Sequence, residues 1–130
     1  NVEYEPGFVI DWTKYFKKSK DEIIAEFGNP NATQSSESMG ELIGYTKGYN
    51  AEIKQLTFVF DKKTGNMYMV QAVFRGVDEL TTYEEEIKKN YIFQSEDDKN
   101  RYYNDSSAFT SISVQFKTSP YFINYMDLSE

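Results

Sequence analysis

The residues of this chain that could perform chemistry are its acidic runs. Asp78-Glu79, Glu84-Glu85-Glu86 and Glu96-Asp97-Asp98 each place two or three carboxylates side by side in the sequence. Paired carboxylates can act as acid and base in glycoside hydrolysis, so a small hydrolase is one hypothesis. All three runs fall on predicted helix or loop surfaces, however, and we interpret them as solvated. Oxygens at 96–98 and in Asn104-Asp105 could bind calcium, but the spacing and the glycine of an EF-hand are absent.

Other common catalytic chemistries lack their residue types. The 130 residues include no Cys and no His, which excludes a thiol nucleophile, a histidine general base and a zinc site of the usual ligands. Ser19 next to Lys20 is no better as a nucleophile, because Ser19 is required as a helix cap. We therefore predict that the chain is not an enzyme and that it has no catalytic residue, no bound metal and no cofactor.

The net charge of −7 restricts the partners. Nothing in the sequence resembles a basic groove, so we expect no nucleic acid. No stretch approaches the roughly 20 apolar residues of a membrane span. The chain begins at Asn1 rather than Met, which fits a trimmed chain or a mature form after export, and leaves open a removed signal peptide or lipid anchor. The expected partner is another protein.

The aromatic residues are the remaining candidates for function. The chain has eleven Tyr and ten Phe, a content that favours strands and leaves Tyr to spare for a surface. Tyr and Met suit protein recognition because they offer a large contact area with little loss of entropy. We place the candidate protein-binding residues on the sheet face away from the helices; they are Tyr45, Tyr49, Met69, Tyr121 and Tyr125. The alternative is that these side chains cover the core or form a dimer contact.

A short helix between Ser19 and Pro30 is marked at both ends. Ser19 and Glu22 have the spacing of a capping box, in which each side chain bonds the backbone amide of the other. Gly28 suits the left-handed residue after the last turn, and Pro30 prevents continuation. A stripe of apolar residues at helical spacing predicts packing on a sheet; it consists of Ile23, Ile24 and Phe27.

The clearest strands form a hairpin. Leu56–Phe60 alternates Leu56, Phe58 and Phe60 onto one face, which we assign to the core under the helix. Asp61–Asn66 is the turn, with Gly65 at a position of positive φ. In the returning strand, 67–74, we expect Tyr68, Val70, Ala72 and Phe74 on one face and Met67, Met69, Gln71 and Val73 on the other.

The second half of the chain reads as a diverged copy of the first. A second helix, Tyr83–Asn90, is capped by Thr81 or Thr82, and two strands follow it at 111–117 and 121–128. Residues 29–41 and 95–107 are predicted loops. The predicted fold is α+β, one domain over 1–130, with short helices packed on one face of an antiparallel sheet. We expect a tandem repeat of helix plus three strands, over 19–76 and 81–128, in which Ile87 faces Val114 and Phe116.

These motifs resemble a known family. Ser19, Glu22-Ile23, Phe27-Gly28 and Pro30 are similar to the first helix of the SmpA/OmlA (BamE-like) outer-membrane lipoproteins. Tyr45 and 56–61 with Gly65 look like that family's strand and hairpin, and the two-copy layout resembles the beta-lactamase-inhibitor-protein family. The resemblance implies a bacterial lipoprotein or secreted inhibitor that acts outside the cytoplasm and binds proteins without catalysis.

Two main functional hypotheses remain. The first is a non-catalytic, extracytoplasmic protein-binding domain that contacts its partner through the open sheet face. The second is an acidic inhibitor or immunity protein that acts in the cytoplasm and neutralises a basic toxin, a role suggested by the charge of −7.

Overall fold

The computed structural model describes residues 10–46 and 53–129. Within these ranges the chain forms one eight-stranded antiparallel sheet with helices on one side. The helices are a 3-10 helix at Trp12–Tyr15, α1 at Lys20–Phe27 and α2 at Val77–Asn90. The strands are β1 (Ala32–Ser36), β2 (Gly40–Tyr45), β3 (Ile53–Phe60), β4 (Met67–Phe74), β5 (Ile92–Glu96), β6 (Asn100–Asn104), β7 (Thr110–Gln115) and β8 (Phe122–Asp127).

The strand order across the sheet is β1-β2-β3-β4-β8-β7-β6-β5. Strands β1 to β4 follow one another as a meander, and so do β5 to β8. The two meanders join in the middle of the sheet, where β4 pairs with β8 and Val70 lies opposite Tyr125. The chain therefore builds a single continuous sheet whose edge strands are β1 and β5.

The predicted repeat of helix plus three strands is wrong, although the α+β class fits loosely. Strand β1 lies within the predicted loop 29–41, and most of β5 and β6 lies at or within the predicted loop 95–107. Neither edge strand buries a side chain. A strand that is paired on one side and buries nothing shows no apolar alternation, so hydrophobic periodicity could not reveal it. Before the hairpin, the sequence also predicts a strand over 42–49; the observed β2 ends at Tyr45, and residues 47–49 lie outside the described ranges.

Helix α1 has the predicted ends. The amide of Glu22 donates to the Ser19 hydroxyl oxygen at 3.2 Å, and the amide of Ser19 donates to Glu22 Oε1 at 2.9 Å. Gly28 ends the helix with a φ of 88°. The Phe27 ring lies 5.4 Å from the Phe58 ring, centroid to centroid, which confirms that α1 packs on β3. The helix buries this face because eight residues cannot hold a helix without tertiary contacts.

The core is an aromatic cluster between α1, the 3-10 helix and the sheet. Trp12 is fully buried at its centre. Its ring contacts the rings of Tyr15, Phe27 and Phe58 at centroid distances between 5.7 and 6.1 Å. These contacts place all of the first-half helices on the same side of the sheet.

Helix α2 begins six residues earlier than the predicted start at Tyr83. Its first residue is Val77, and Gly76 precedes it without a side-chain cap. The hydroxyls of Thr81 and Thr82, predicted as caps, donate instead to carbonyls one turn back inside the helix. The Tyr83 ring packs 4.9 Å from the Phe74 ring, so α2 also lies on the helix-covered side of the sheet.

The β3–β4 hairpin follows the prediction except at a bulge. Gly65 takes a φ of 75° in the turn, as expected. A register shift after Val59 pairs Phe60 with Met67, and Met67 is fully buried in the core. The predicted grouping of Met67 with Met69 is therefore wrong, because a bulge inserts one residue and turns the following side chains to the other face.

Candidate functional site

The sheet has a covered face and an open face. Residues directly opposite each other on antiparallel strands share a face. The covered face contains Ile43, Phe58, Val70, Tyr125 and Ile112, which are paired in this order across five strands and are buried under the helices. The residues that alternate with them point the other way. We call this second side the open face, because the 3-10 helix, α1 and α2 all pack on the covered face.

Three rows of paired residues form the open face. The first row runs Gln34, Leu42, Val59, Met69, Met126, Ser111, Asn104 and Ile92. The second row runs Ala32, Gly44, Thr57, Gln71, Asn124, Ser113, Tyr102 and Ser95. The third row is shorter and runs Gln55, Val73, Phe122, Gln115 and Asn100.

None of these paired residues carries a charge; the exposed Lys54, next to Gln55 at the edge of the third row, lies at a bulge of β3 and is not among the pairs. Charged residues make up 27% of the whole chain, and the covered face has four of them among its paired positions, namely Glu41, Glu96, Arg101 and Asp127. A face that only meets water has no reason to avoid charge, whereas the centres of protein interfaces are depleted of it. The open face therefore has the composition of an interface.

A polar row crosses the middle of the open face. Gln71, Asn124 and Ser113 are paired side by side on β4, β8 and β7, and all three side chains are half-buried. The side-chain oxygen of Asn124 is buried and has no hydrogen-bond partner among the described residues. Buried acceptors normally have a partner, so this oxygen is unusual; the rest of the Asn124 side chain is half-buried on the open face.

Only one of the predicted binding residues lies on the open face. Met69 is half-buried in the first row, next to Val59 and Met126. Tyr49 lies outside the described residues. The sequence signal that identifies the rest of the face is the lack of charge at alternating positions of β7, where Ser111, Ser113 and Gln115 point outward.

Tyr45 and Tyr125 lie on the covered face, contrary to their predicted placement. Each is about 2% exposed. The Tyr45 hydroxyl donates to the carbonyl of Gly28 at 2.8 Å, and its ring lies 6.2 Å from the Phe27 ring. Tyr121 also packs against the core, and its carbonyl accepts from the amide of Phe74. Tyr45 and Tyr125 were assigned to the wrong side because alternation does not show which face of a strand the helices cover, and large aromatic side chains suit either face.

A buried ion pair attaches α2 to the sheet. Glu84, predicted as part of a solvated helix face, is only 3% exposed. Arg101 donates to it from Nε at 2.6 Å and from Nη2 at 3.0 Å, and the Tyr103 hydroxyl donates at 2.7 Å. The guanidinium also lies 3.7 Å from the centroid of the Phe116 ring, a cation–π contact. The prediction was wrong because the sequence does not show which of three adjacent glutamates faces β6.

The electrostatics of this cluster keep Glu84 ionised. Burial would by itself raise the pKa of Glu84, but the hydrogen bonds from Arg101 and Tyr103, together with the positive charges of Arg101 and Lys88, outweigh it and lower the pKa below the ordinary value of 4.5. Burial, followed by the hydrogen bond to Glu84, raises the pKa of Tyr103. A carboxylate that is stabilised as an anion and already accepts three hydrogen bonds is a poor proton donor. We therefore interpret the Glu84–Arg101–Tyr103 cluster as a structural contact that holds α2 on the sheet.

The described ranges offer neither a metal site nor a membrane-spanning helix. Residues 10–46 and 53–129 contain no group of three or more Asp and Glu side chains placed to hold a metal ion. No helix in the same ranges is long and apolar enough to cross a membrane.

Within the described residues, the fold is an α+β domain in which one sheet face has no helix packed on it and no charged residue among its strand pairs. No protein-family model matches the sequence, and no curated protein matches it. Among solved structures, the chain is similar to an extracellular protein from Bacillus anthracis that contains an SCP domain, with a TM-score of 0.52 and 13% identity over 98% of this chain. It is also similar to a DUF4309 family protein from Bacillus subtilis, with a TM-score of 0.51 and 12% identity over 84% of this chain and 78% of that one.

These similarities concern the fold alone. The chain spans 48% of the length of the Bacillus anthracis protein, about half of it.

Proposed function

We propose that this chain is a non-catalytic protein-binding domain that acts outside the cytoplasm and contacts its partner through the open face. The observation that carries the proposal is the absence of charge from every paired residue of that face. When one face of an antiparallel sheet meets water, that face is normally polar, whereas the paired residues of this face include several apolar side chains and no charged one.

The apolar residues of the open face support the same function. Leu42, Met69 and Met126 are half-buried in the first row around the fully buried Val59, and Val73 lies beside Phe122 in the third. Methionine and aromatic side chains are enriched at the centres of interfaces, where they displace water and adapt to the partner's shape. The polar second row between them would fix the orientation of the partner through hydrogen bonds.

The location outside the cytoplasm is supported by a structural neighbour. The Bacillus anthracis protein is described as extracellular, and it shares the fold over nearly all of this chain. Separation of the source organism's cells into cytoplasmic, envelope and secreted fractions, followed by immunodetection, tests this part of the proposal. Detection in the cytoplasmic fraction alone would refute it.

The binding surface can be tested by site-specific crosslinking. The chain has no Cys, so Met69→Cys places one thiol on the open face, and Glu85→Cys places one on the exposed side of α2 as a control. Each variant carries a benzophenone maleimide and is irradiated with envelope and secreted fractions of the source organism. We expect protein adducts from position 69 and none from position 85.

Competition with unlabelled chain shows whether the adducts from position 69 reflect specific binding. An excess of unlabelled wild-type chain should remove the adducts from position 69, whereas Asn124→Lys, which places a charge in the centre of the open face, should compete poorly. Equal adducts from both positions, or equal competition by the two chains, would show that the open face is not the contact surface.

A further inference from the structure

We infer that the protein that fits the open face is a second copy of this chain, packed face to face as a symmetric dimer. The inference rests on the proposed function, because it concerns the same surface, and it names the partner. Three features of the structure support it: the distribution of charge, the symmetry of the strand order and the size of the face.

The charge distribution favours self-association at this surface alone. Two copies that each carry a net charge of −7 repel one another, and contact between charged surfaces would bring like charges together. The open face is the exception, since its paired residues contribute no charge. Two copies can meet there while their carboxylates remain in water, at distances where physiological salt screens them.

The strand order makes the face complementary to itself. The centre of the sheet is the β4–β8 pair, with four strands on each side counted from the junction. A two-fold axis parallel to the strands at this junction places β4 of one copy over β8 of the other. Gln71 then lies opposite Asn124 of the second copy, and Met69 lies opposite Met126 of the second copy. Such reciprocal contacts are the mark of a two-fold interface.

This arrangement supplies the missing partner of Asn124. A rotation of the half-buried Asn124 side chain on association would let its buried oxygen accept a hydrogen bond from the Gln71 amide of the second copy. The two-fold axis would produce this hydrogen bond twice. Water would be excluded from these hydrogen bonds by apolar contacts on both sides. On one side Met69 meets Met126 of the second copy, and on the other Val73 meets Phe122 of the second copy. Each polar group at the centre would therefore be satisfied inside an apolar surround.

The face is large enough for a stable dimer. Eight strands about 4.8 Å apart span roughly 34 Å, and three rows of side chains extend roughly 17–20 Å along the strands. The face thus covers roughly 600 Å² per copy, so a dimer would bury roughly 1,200 Å² in total, at the lower end of standard interfaces. Two such sheets stack about 10 Å apart with their strands nearly aligned.

The first test is sedimentation equilibrium of the purified full chain over a range of micromolar concentrations. We expect a reversible dimer of twice 15.2 kDa. Asn124→Lys and Gln71→Lys should each weaken the dimer at least about tenfold, because a lysine would lose its water in the interface. Glu85→Gln changes the net charge by the same amount as either substitution but lies on α2, and should leave the dimer unchanged. Circular dichroism confirms that each variant is folded.

The second test fixes the geometry. Met69→Cys and Met126→Cys chains are mixed and treated with a short bis-maleimide. We expect crosslinks between the two different chains, and no crosslink between Met69→Cys and Glu85→Cys. Dimer strength should hold or rise as salt increases, since the only charge effect is long-range repulsion.

The outcomes separate this inference from the proposed function. A chain that stays monomeric, or a dimer unaffected by both lysine substitutions, overturns the inference. If the chain is monomeric but position 69 still crosslinks to other proteins in competition with wild-type chain, the proposed function stands and the partner is a different protein. If position 69 crosslinks to nothing and the chain is monomeric, both fail.

Discussion

Removal of the Glu84 carboxylate should show how strongly α2 is held to the sheet. In Glu84→Ala, three hydrogen bonds are lost, and the Arg101 guanidinium and the Tyr103 hydroxyl are left without their acceptor. Removal of one partner from a buried ion pair typically costs about 3–5 kcal/mol. Because the Arg101 side chain is 27% exposed, water can partly replace the carboxylate, so we expect the lower end, about 3 kcal/mol.

Glu84→Gln separates the charge from the packing. Glutamine keeps the shape and one acceptor oxygen but loses the charge, so we expect a loss of about 1.5–3 kcal/mol, the value of a hydrogen bond to a charged group. The matched control is Glu85→Gln on the same helix, whose carboxylate bonds Lys88 at 3.1 Å and is 60% exposed. An exposed pair of this kind contributes little, so the control should lose less than about 0.5 kcal/mol.

The assay is urea unfolding monitored by the fluorescence of Trp12, which is fully buried and is the only tryptophan of the chain. The pH dependence gives a second readout. Because the folded protein lowers the pKa of Glu84 below 4.5, the carboxylate stabilises the fold above that pH and loses its effect as the pH falls through the folded value. The difference between wild type and Glu84→Gln should therefore shrink in acid. The structural role of the Glu84 cluster would be refuted if Glu84→Gln and Glu85→Gln lowered the free energy of unfolding equally. It would also be refuted if the difference in unfolding free energy between wild type and Glu84→Gln did not depend on pH.

Three further predictions concern the first half of the chain and use the same unfolding assay. Phe27→Ala should cost about 3–5 kcal/mol, since it opens a cavity against Phe58; a loss below about 1 kcal/mol would mean that α1 is not seated there. Ser19→Ala removes one half of the capping box and should cost about 1 kcal/mol, whereas Ser19→Gly should cost only a few tenths. Gly40→Ala should prevent folding or cost more than about 3 kcal/mol, because its φ is +103° and the added carbon would lie 2.1 Å from the carbonyl oxygen of Phe60; near wild-type stability would contradict the register of β2 on β3.

The parts of the fold that could be predicted from the sequence are those with strong local signals. The capping box at Ser19 and Glu22, the apolar stripe ending at Phe27 and the turn at Gly65 each have a sequence pattern with a direct physical cause, and each is present in the structure. The resemblance to the SmpA/OmlA lipoproteins, in contrast, stays a prediction.

The parts that could not be predicted depend on tertiary pairing. Strand β1 has no apolar residue larger than Ala32 and forms only because β2 offers it a free edge. The bulge that buries Met67 depends on the pairing of β3 with β4, and no residue type within 67–74 indicates a bulge in the sequence. The open face was predicted to be rich in Tyr, but Tyr45 and Tyr125 lie on the covered face and are core residues. Large aromatic side chains pack in a core as readily as on a binding surface, so their type does not show which face they occupy.

The prediction of a repeat failed in the second half of the chain because α2 is attached to the sheet by a different kind of contact. In the first half, α1 is attached by Phe27 on Phe58, an apolar contact that leaves a clear periodic signal. In the second half, the covered face of β6 carries Arg101, and α2 meets it with Glu84. An ion pair at the place of an apolar contact looks like two solvated charges in the sequence. The same residues therefore account for the error and identify the contact on which the attachment of α2 depends. Arg101→Met tests this directly: alone it should destabilise the fold by leaving Glu84 unpaired, and together with Glu84→Leu it should recover most of the loss, because well-packed apolar residues can replace a buried ion pair.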